Sequence, residues 1–179
     1  MANPAHVLAF WREAGPERWF KSDQAFDAAV RERFLLVHEK AVRGELSDWE
    51  ETPPGALALV ILLDQFPRNM FRSTPRAFAT DPIALKTARR AVARAFDRQI
   101  EMPLRNFFYM PFMHSEYLAM QEQCLELMHA SGDKDGIKYA EIHRDIIRRF
   151  GRFPHRNKIL GRASTSEEVE FLASGGFAD

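Results

Sequence analysis

Apolar residues recur at three- and four-residue spacing through most of the chain, a rhythm that predicts helices rather than strands. Phe26, Val30, Phe34, Val37 and Ala41 mark one face of a helix that opens at Ser22-Asp23 and ends near Gly44. A shorter helix begins at Val7-Leu8-Ala9-Phe10-Trp11 and stops at Gly15-Pro16. Pro53-Pro54 opens a third element, where proline in a first turn forfeits no helical hydrogen bond. The run Ala56 to Leu63 is apolar on every side, a pattern that also fits a buried strand. With no other strand in the chain to pair with it, the run reads as a central helix ended by Pro67.

Asp81-Pro82 supplies an N-cap followed by proline at the first helical position, and Ile83 to Ile100 is rich in helix formers up to the break at Pro103. Pro111 opens a further long helix with a stripe of Met113, Tyr117, Met120, Cys124 and Leu127, ending at Ser131-Gly132. Asp135 to Phe150 follows, closed by Gly151. Thr165-Ser166-Glu167-Glu168 is a capping box that leads into Val169, Phe171 and Leu172, ended by Gly175-Gly176. The expected fold is all-α, with about seven helices joined by short connections and packed as antiparallel helical hairpins. No internal linker divides the chain, so residues 1–179 read as a single domain.

Composition narrows the class. With 46% hydrophobic and 28% charged residues, the chain has the makings of an ordinary globular core. Its formal net charge of zero argues against nucleic acid as a partner, since such binding needs a broad basic face. Cys124 stands alone, which excludes an intrachain disulfide framework and fits a reducing, cytoplasmic setting. The N-terminus lacks the basic leader and apolar core of a signal peptide. The longest apolar run falls far short of the roughly 20 residues that span a bilayer, so no membrane association is expected.

Charge is nevertheless concentrated in one stretch. His143 to Arg162 contains Arg144, Arg148, Arg149, Arg152, Arg156, Lys158 and Arg162 against a single acid, Asp145. Within it, Phe153-Pro154-His155-Arg156-Asn157 echoes Phe66-Pro67-Arg68-Asn69, which follows directly on Asp64-Gln65. Asp64 ends a hydrophobic helix, where both burial and the helix dipole oppose a carboxylate, so it requires a cationic partner. The predicted ligand-binding residues are Asp64, Arg68, Asn69, Arg72, Arg152, His155, Arg156, Asn157 and Arg162. The two turns are expected to converge on one pocket that also receives His114 and Glu116. Glu116 sits one turn from Phe112, Met113 and Met120, apolar surroundings that would raise its pKa, while its place in the first helical turns better suits a negative charge with no catalytic role; His114, Glu116 and His155 are the catalytic candidates for moving a proton.

The same residues also fit a structural ion-pair network, because buried charges need partners whether or not they do chemistry. No nucleotide-binding glycine motif or His-Glu-x-x-His helix is present. His143-Arg144-Asp145 lies inside a helical pattern and lacks the rest of the kinase set, and His114-Ser115-Glu116 lacks the cysteine half of the zinc-deaminase signature. No pair of residues has metal-ligand spacing, so no metal and no cofactor is expected.

Trp19-Phe20, Leu63 to Asn69, Tyr109 to Phe112 with His114-Ser115-Glu116, and Gly151 to Asn157 through Leu160-Gly161-Arg162 together resemble one family. It is the bacterial family catalogued as domain of unknown function 924, and the resemblance covers nearly the whole chain. It implies a fold similar to the tetratricopeptide-like superfamily, with helical hairpins wound into a compact right-handed layer, and no established activity. Ser166 departs from the proline expected after the capping threonine; either residue suits a first helical position.

Three functions compete. A binding module would take an anionic ligand or a peptide through apolar contacts and an arginine clamp. An enzyme acting on a small anionic substrate would hold it with Arg68, Arg152, Arg156 and Arg162 while Glu116, His114 or His155 moves the proton. A purely structural network would do neither. The absence of a recognisable nucleophile and base favours binding.

Overall fold

A computed structural model describes residues 2–176, whose regular elements are all helices, with no strand among them. Their contacts fall into two compact units. One is built from residues up to Arg72 with Arg76–Pro111, the other from Ser73–Pro75 with the residues from Phe112 onward.

The first unit opens with α1 (Pro4–Ala14), α2 (Pro16–Trp19), α3 (Gln24–Val42) and α4 (Pro53–Val60), of which α1, α3 and α4 begin at side-chain caps. Asn3, Asp23 and Thr52 each accept a backbone amide from the first turn they open. The inward face of α3 is Phe26, Val30, Phe34, His38 and Ala41, so His38 displaces the expected Val37 from the core stripe. Gly55 is obligatory at the start of α4, because a Cβ there would stand 2.2 Å from the Trp49 carbonyl oxygen.

The core of this unit is aromatic. Trp11, fully buried, packs against Trp19 at 5.9 Å, Phe66 at 5.6 Å and Phe107 at 5.3 Å between ring centroids. Phe34 meets Phe66 at 4.8 Å. Trp19 donates its indole N–H to the Trp11 carbonyl at 2.6 Å, which ties α2 back onto α1.

The central helix is buried as expected, every residue from Gly55 to Pro67 being inaccessible. Pro67, however, does not end it. The helix widens into a π-helical turn over Ile61–Gln65 and continues as α5 (Phe66–Met70). Proline has no N–H to offer the carbonyl four residues back, and the Phe66 amide reaches past Leu62 to Ile61. The carbonyls of Leu62 and Leu63 thus lose their ordinary partners, and side chains bond these two and the next. His38 Nδ1 bonds the Leu62 oxygen at 2.9 Å, Thr80 Oγ1 donates to Leu63 at 2.6 Å, and Arg68 Nη1 donates to Asp64 at 2.6 Å. A buried carbonyl left unbonded costs about 1–3 kcal/mol, so these three contacts hold the bulge open.

Burial pushes the His38 pKa below its usual 6.5, outweighing the pull of the Leu62 carbonyl. The unfolded chain therefore binds a proton first as pH falls, and the neutral histidine's contribution is complete above pH 6.5 and lost below it. Urea midpoints are expected to drop between pH 7.5 and pH 5.5, and His38→Gln is expected to flatten that drop. An unchanged pH dependence in the variant would assign the effect to other groups.

Helix α6 runs from Asp81 to Ala93, with Thr80 rather than Asp81 at the N-cap position. It stops short of the expected Ile100. Ala95 adopts a left-handed φ of 55°, and the Phe96 amide turns back to the Ala91 carbonyl as its ring enters the core.

A single turn, α7 (Met110–Met113), precedes α8 (Leu118–Ser131), α9 (Lys134–Phe150) and α10 (Ser166–Ala173). The long helix expected from Pro111 is thus interrupted at His114 to Tyr117. Gln121, fully buried, donates from Nε2 to the carbonyls of Met113 and Ser115 at 2.6 Å each, satisfying the backbone at this break. The buried face of α8 is accordingly Gln121, Cys124 and Met128, while Tyr117 is 75% exposed. A two-residue connection makes α8 and α9 an antiparallel hairpin. Ile146, Ile147 and Phe153 form one buried cluster of this unit, with Ile142, Phe150 and Phe171 packed around it.

Candidate functional site

In the second unit the basic stretch folds as a helix end and a turn. Helix α9 closes at Gly151, whose φ of 70° is the left-handed conformation that glycine adopts without strain. The chain then passes through Arg152 into Phe153, whose ring is fully buried against Ile146 and Ile147, so an apolar anchor fixes the polar residues on either side.

Those polar residues form one linked network. Glu116 accepts the Phe153 amide at 2.8 Å and is gripped bidentately by Arg162, at 2.7 and 3.0 Å. Arg162 also donates Nε–H to Asn157 Oδ1 at 2.9 Å and Nη2–H to the Phe153 carbonyl at 3.1 Å. From its other end Asn157 donates to Glu168 at 3.2 Å and to Ser164 at 3.1 Å. Glu168 is gripped in turn by Arg152, at 2.6 and 2.8 Å. The capping box predicted from sequence is present, with Glu168 accepting the Thr165 amide and the Thr165 hydroxyl accepting the Glu168 amide. One carboxylate therefore starts α10 and holds the basic turn at once.

Arg156 is 3% exposed; it donates to the His114 carbonyl at 3.0 Å and lies 4.4 Å above the Phe153 ring. The ring centroids of His114 and His143 are 6.5 Å apart, and His155 lies 5.6 Å from Phe153. Thus His114, Glu116, Arg152, His155, Arg156, Asn157 and Arg162 are assembled in this unit.

Electrostatics correct one expectation. Glu116 does not have a raised pKa: burial pushes it up, but Arg162 and the Phe153 amide together pull it below the usual range. Nor is it helical, since it precedes α8. Its carboxyl is an ionised partner of arginine rather than a poised general acid. The Arg152 contact, aided by the Thr165 amide and Asn157, outweighs desolvation and holds Glu168 at about 2.

Acids inside and outside the basic stretch answer most of its charge, and of these Glu122 had no place in the sequence reading. Arg148 meets Glu122 at 2.6 Å, Arg149 meets Glu167 at 2.8 Å, and Arg144 meets its neighbour Asp145 at 2.8 Å. Glu168 was visible only as a cap. Its second role has no local sequence signal, because Arg152 lies sixteen residues away.

The first unit holds Asp64, Arg68, Asn69 and Arg72. Asp64 is fully buried, accepts Gln65 Nε2 at 2.6 Å and lies 3.6 Å from Arg68 Nη1. Arg68 also forms a bidentate pair with Asp81 at 2.9 and 3.0 Å. Asn69 and Arg72 converge on Asp27, at 2.7 Å from Nδ2 and from Nε respectively. Asp27 escaped the sequence reading, and Asp81 was read there only as a cap, because each looks like an ordinary acid at the start of its own helix.

A family model described as bacterial protein of unknown function (DUF924) matches residues 7–176. The chain belongs to this family. A solved structure of a protein of unknown function from Agrobacterium tumefaciens, ATU0120, is 46% identical to the DUF924 chain. The two superpose with a TM-score of 0.93, over 96% of this chain and 97% of that one. A comparison with curated proteins finds no match.

Among the described residues, no three His, Cys, Asp or Glu side chains are grouped to hold a metal ion, and no helix is long and apolar enough to cross a membrane. Burial pushes the Cys124 thiol up to about 12, which leaves little reactive thiolate near neutrality.

Proposed function

We propose that this DUF924 protein is a binding module whose turn at Arg152 to Arg162 takes an anionic ligand, such as a small carboxylate, a phosphate or an acidic peptide end. One observation carries the reading. Arg152 and Arg162 are held in fixed orientation by Glu168 and Glu116, are linked through Asn157, and keep 28% and 24% of their side chains open to solvent. Guanidinium groups oriented in advance lose less freedom on meeting an anion.

The competing reading is a structural lock, favoured by the carboxylate already seated in each guanidinium fork. Thermal melts in rising phosphate, succinate and citrate separate the two. Binding is expected to raise the Tm with ligand concentration, and Arg152→Gln with Arg162→Gln is expected to abolish the rise. A Tm indifferent to every anion at high millimolar concentration leaves the network a lock.

A further inference from the structure

A different surface, in the first unit, carries an inference that does not rest on the basic turn. Along α3, Arg33, Leu36, Val37 and Lys40 recur at the spacing that places them on one helix face. With the N-terminal end of α1 they line an open groove of about 380 Å³, floored in part by Phe34 and edged by His6. Leu36 is 78% exposed, the most open large hydrophobic residue among those described.

The ionisable side chains that line this groove are all basic. Arg43, Arg68, Arg72, Arg76, Arg90 and Arg94 all meet carboxylates within the first unit. Among the described residues, Arg33, Lys40 and His6 make no ion pair and no acid lines the groove; the Arg33 guanidinium rests over the Phe10 ring at 5.3 Å. Three basic groups thus surround an apolar strip, and the complement that would neutralise them is missing from its walls.

We propose that this groove docks an amphipathic helix of another protein that bears acidic side chains beside an aliphatic stripe. Arg33 and Lys40 are seven residues apart, about 10.5 Å along the helix axis. A helix laid along α3 with acids two turns apart would meet both cations while its aliphatic residues cover Leu36 and Val37. Burying Leu36 supplies the apolar drive, and the cations set register and partner choice.

The test uses the full chain and a set of synthetic helical peptides. Each carries leucines on one face, flanked by glutamate pairs one or two turns apart; a matched set carries lysine for glutamate. Fluorescence anisotropy is expected to show binding by the acidic set, strongest at two-turn spacing and weakened by salt. Arg33→Glu with Lys40→Glu should weaken that binding by at least about tenfold and transfer preference to the lysine set. Leu36→Asp should also lose binding, and both variants should keep the parent Tm because the altered side chains are solvent-facing. Equal binding of the two sets, no binding by any acidic peptide, or unchanged binding by the charge-reversed variant would overturn the proposal. So would sedimentation showing a dimer that Leu36→Asp dissociates, since the occupant would then be a second copy.

Discussion

Asp64→Ala is expected to destabilise the protein by about 3–5 kcal/mol, the range found when one partner of a buried ion pair is removed. Asp64 is fully buried, and its carboxylate accepts Gln65 at 2.6 Å beside the Arg68 guanidinium at 3.6 Å. Alanine leaves the Gln65 amide and part of the Arg68 charge without an acceptor inside the π-helical turn. Arg68 keeps its bidentate grip on Asp81, which places the effect nearer the lower end of the range. Asp64→Asn retains an oxygen acceptor and should fall between alanine and wild type. In a chain of this length the alanine loss corresponds to a Tm drop on the order of 10 °C. An unchanged Tm would show that the carboxylate contributes nothing net to the fold.

A second large loss, about 3–5 kcal/mol, is expected from Trp11→Ala. The indole is fully buried and touches Trp19, Phe26, Phe66 and Phe107, which belong to four different segments of the first unit. These rings are rigid and pack on one another, so the space left by the indole cannot close by rotation of a flexible neighbour. Trp11→Phe fills most of that volume and should recover much of the loss. Urea midpoints for the pair measure the difference, and an alanine variant within about 1 kcal/mol of wild type would mean that the cluster collapses freely into the gap.

The structure also shows what a sequence without an alignment can and cannot disclose about the candidate site. Arg152, Arg156, Asn157 and Arg162 were legible because their crowding in a neutral chain demands counter-charge. Glu168, the partner of Arg152, was not legible in that role. Glu116 was recognised, but its environment was inferred from sequence neighbours, and the residue that sets its pKa, Arg162, lies forty-six positions away. Asp27 was hidden for the same reason, being forty-two and forty-five positions from Asn69 and Arg72. A hydrogen bond fixes no sequence separation, whereas a cap must lie within a few residues of the amide it accepts. That is why the capping box at Thr165 was read correctly and the Glu168 grip on Arg152 was not.

The sequence by itself determined the helical class, most helix starts, the C-terminal stop of α9 at Gly151 and the burial of Ala56 to Leu63. Each of these follows from local rules: side-chain periodicity, the geometry of proline and glycine, and the reach of a capping side chain. Tertiary structure decided the rest. Pro67 alone predicts a helix end; the helix continues because His38 and Thr80 supply from outside it the hydrogen bonds lost by Leu62 and Leu63. Pro111 predicts a long helix; Gln121 from α8 instead satisfies an interruption. In both places a local preference was overridden by donors that only the folded chain brings within 3 Å of a buried carbonyl.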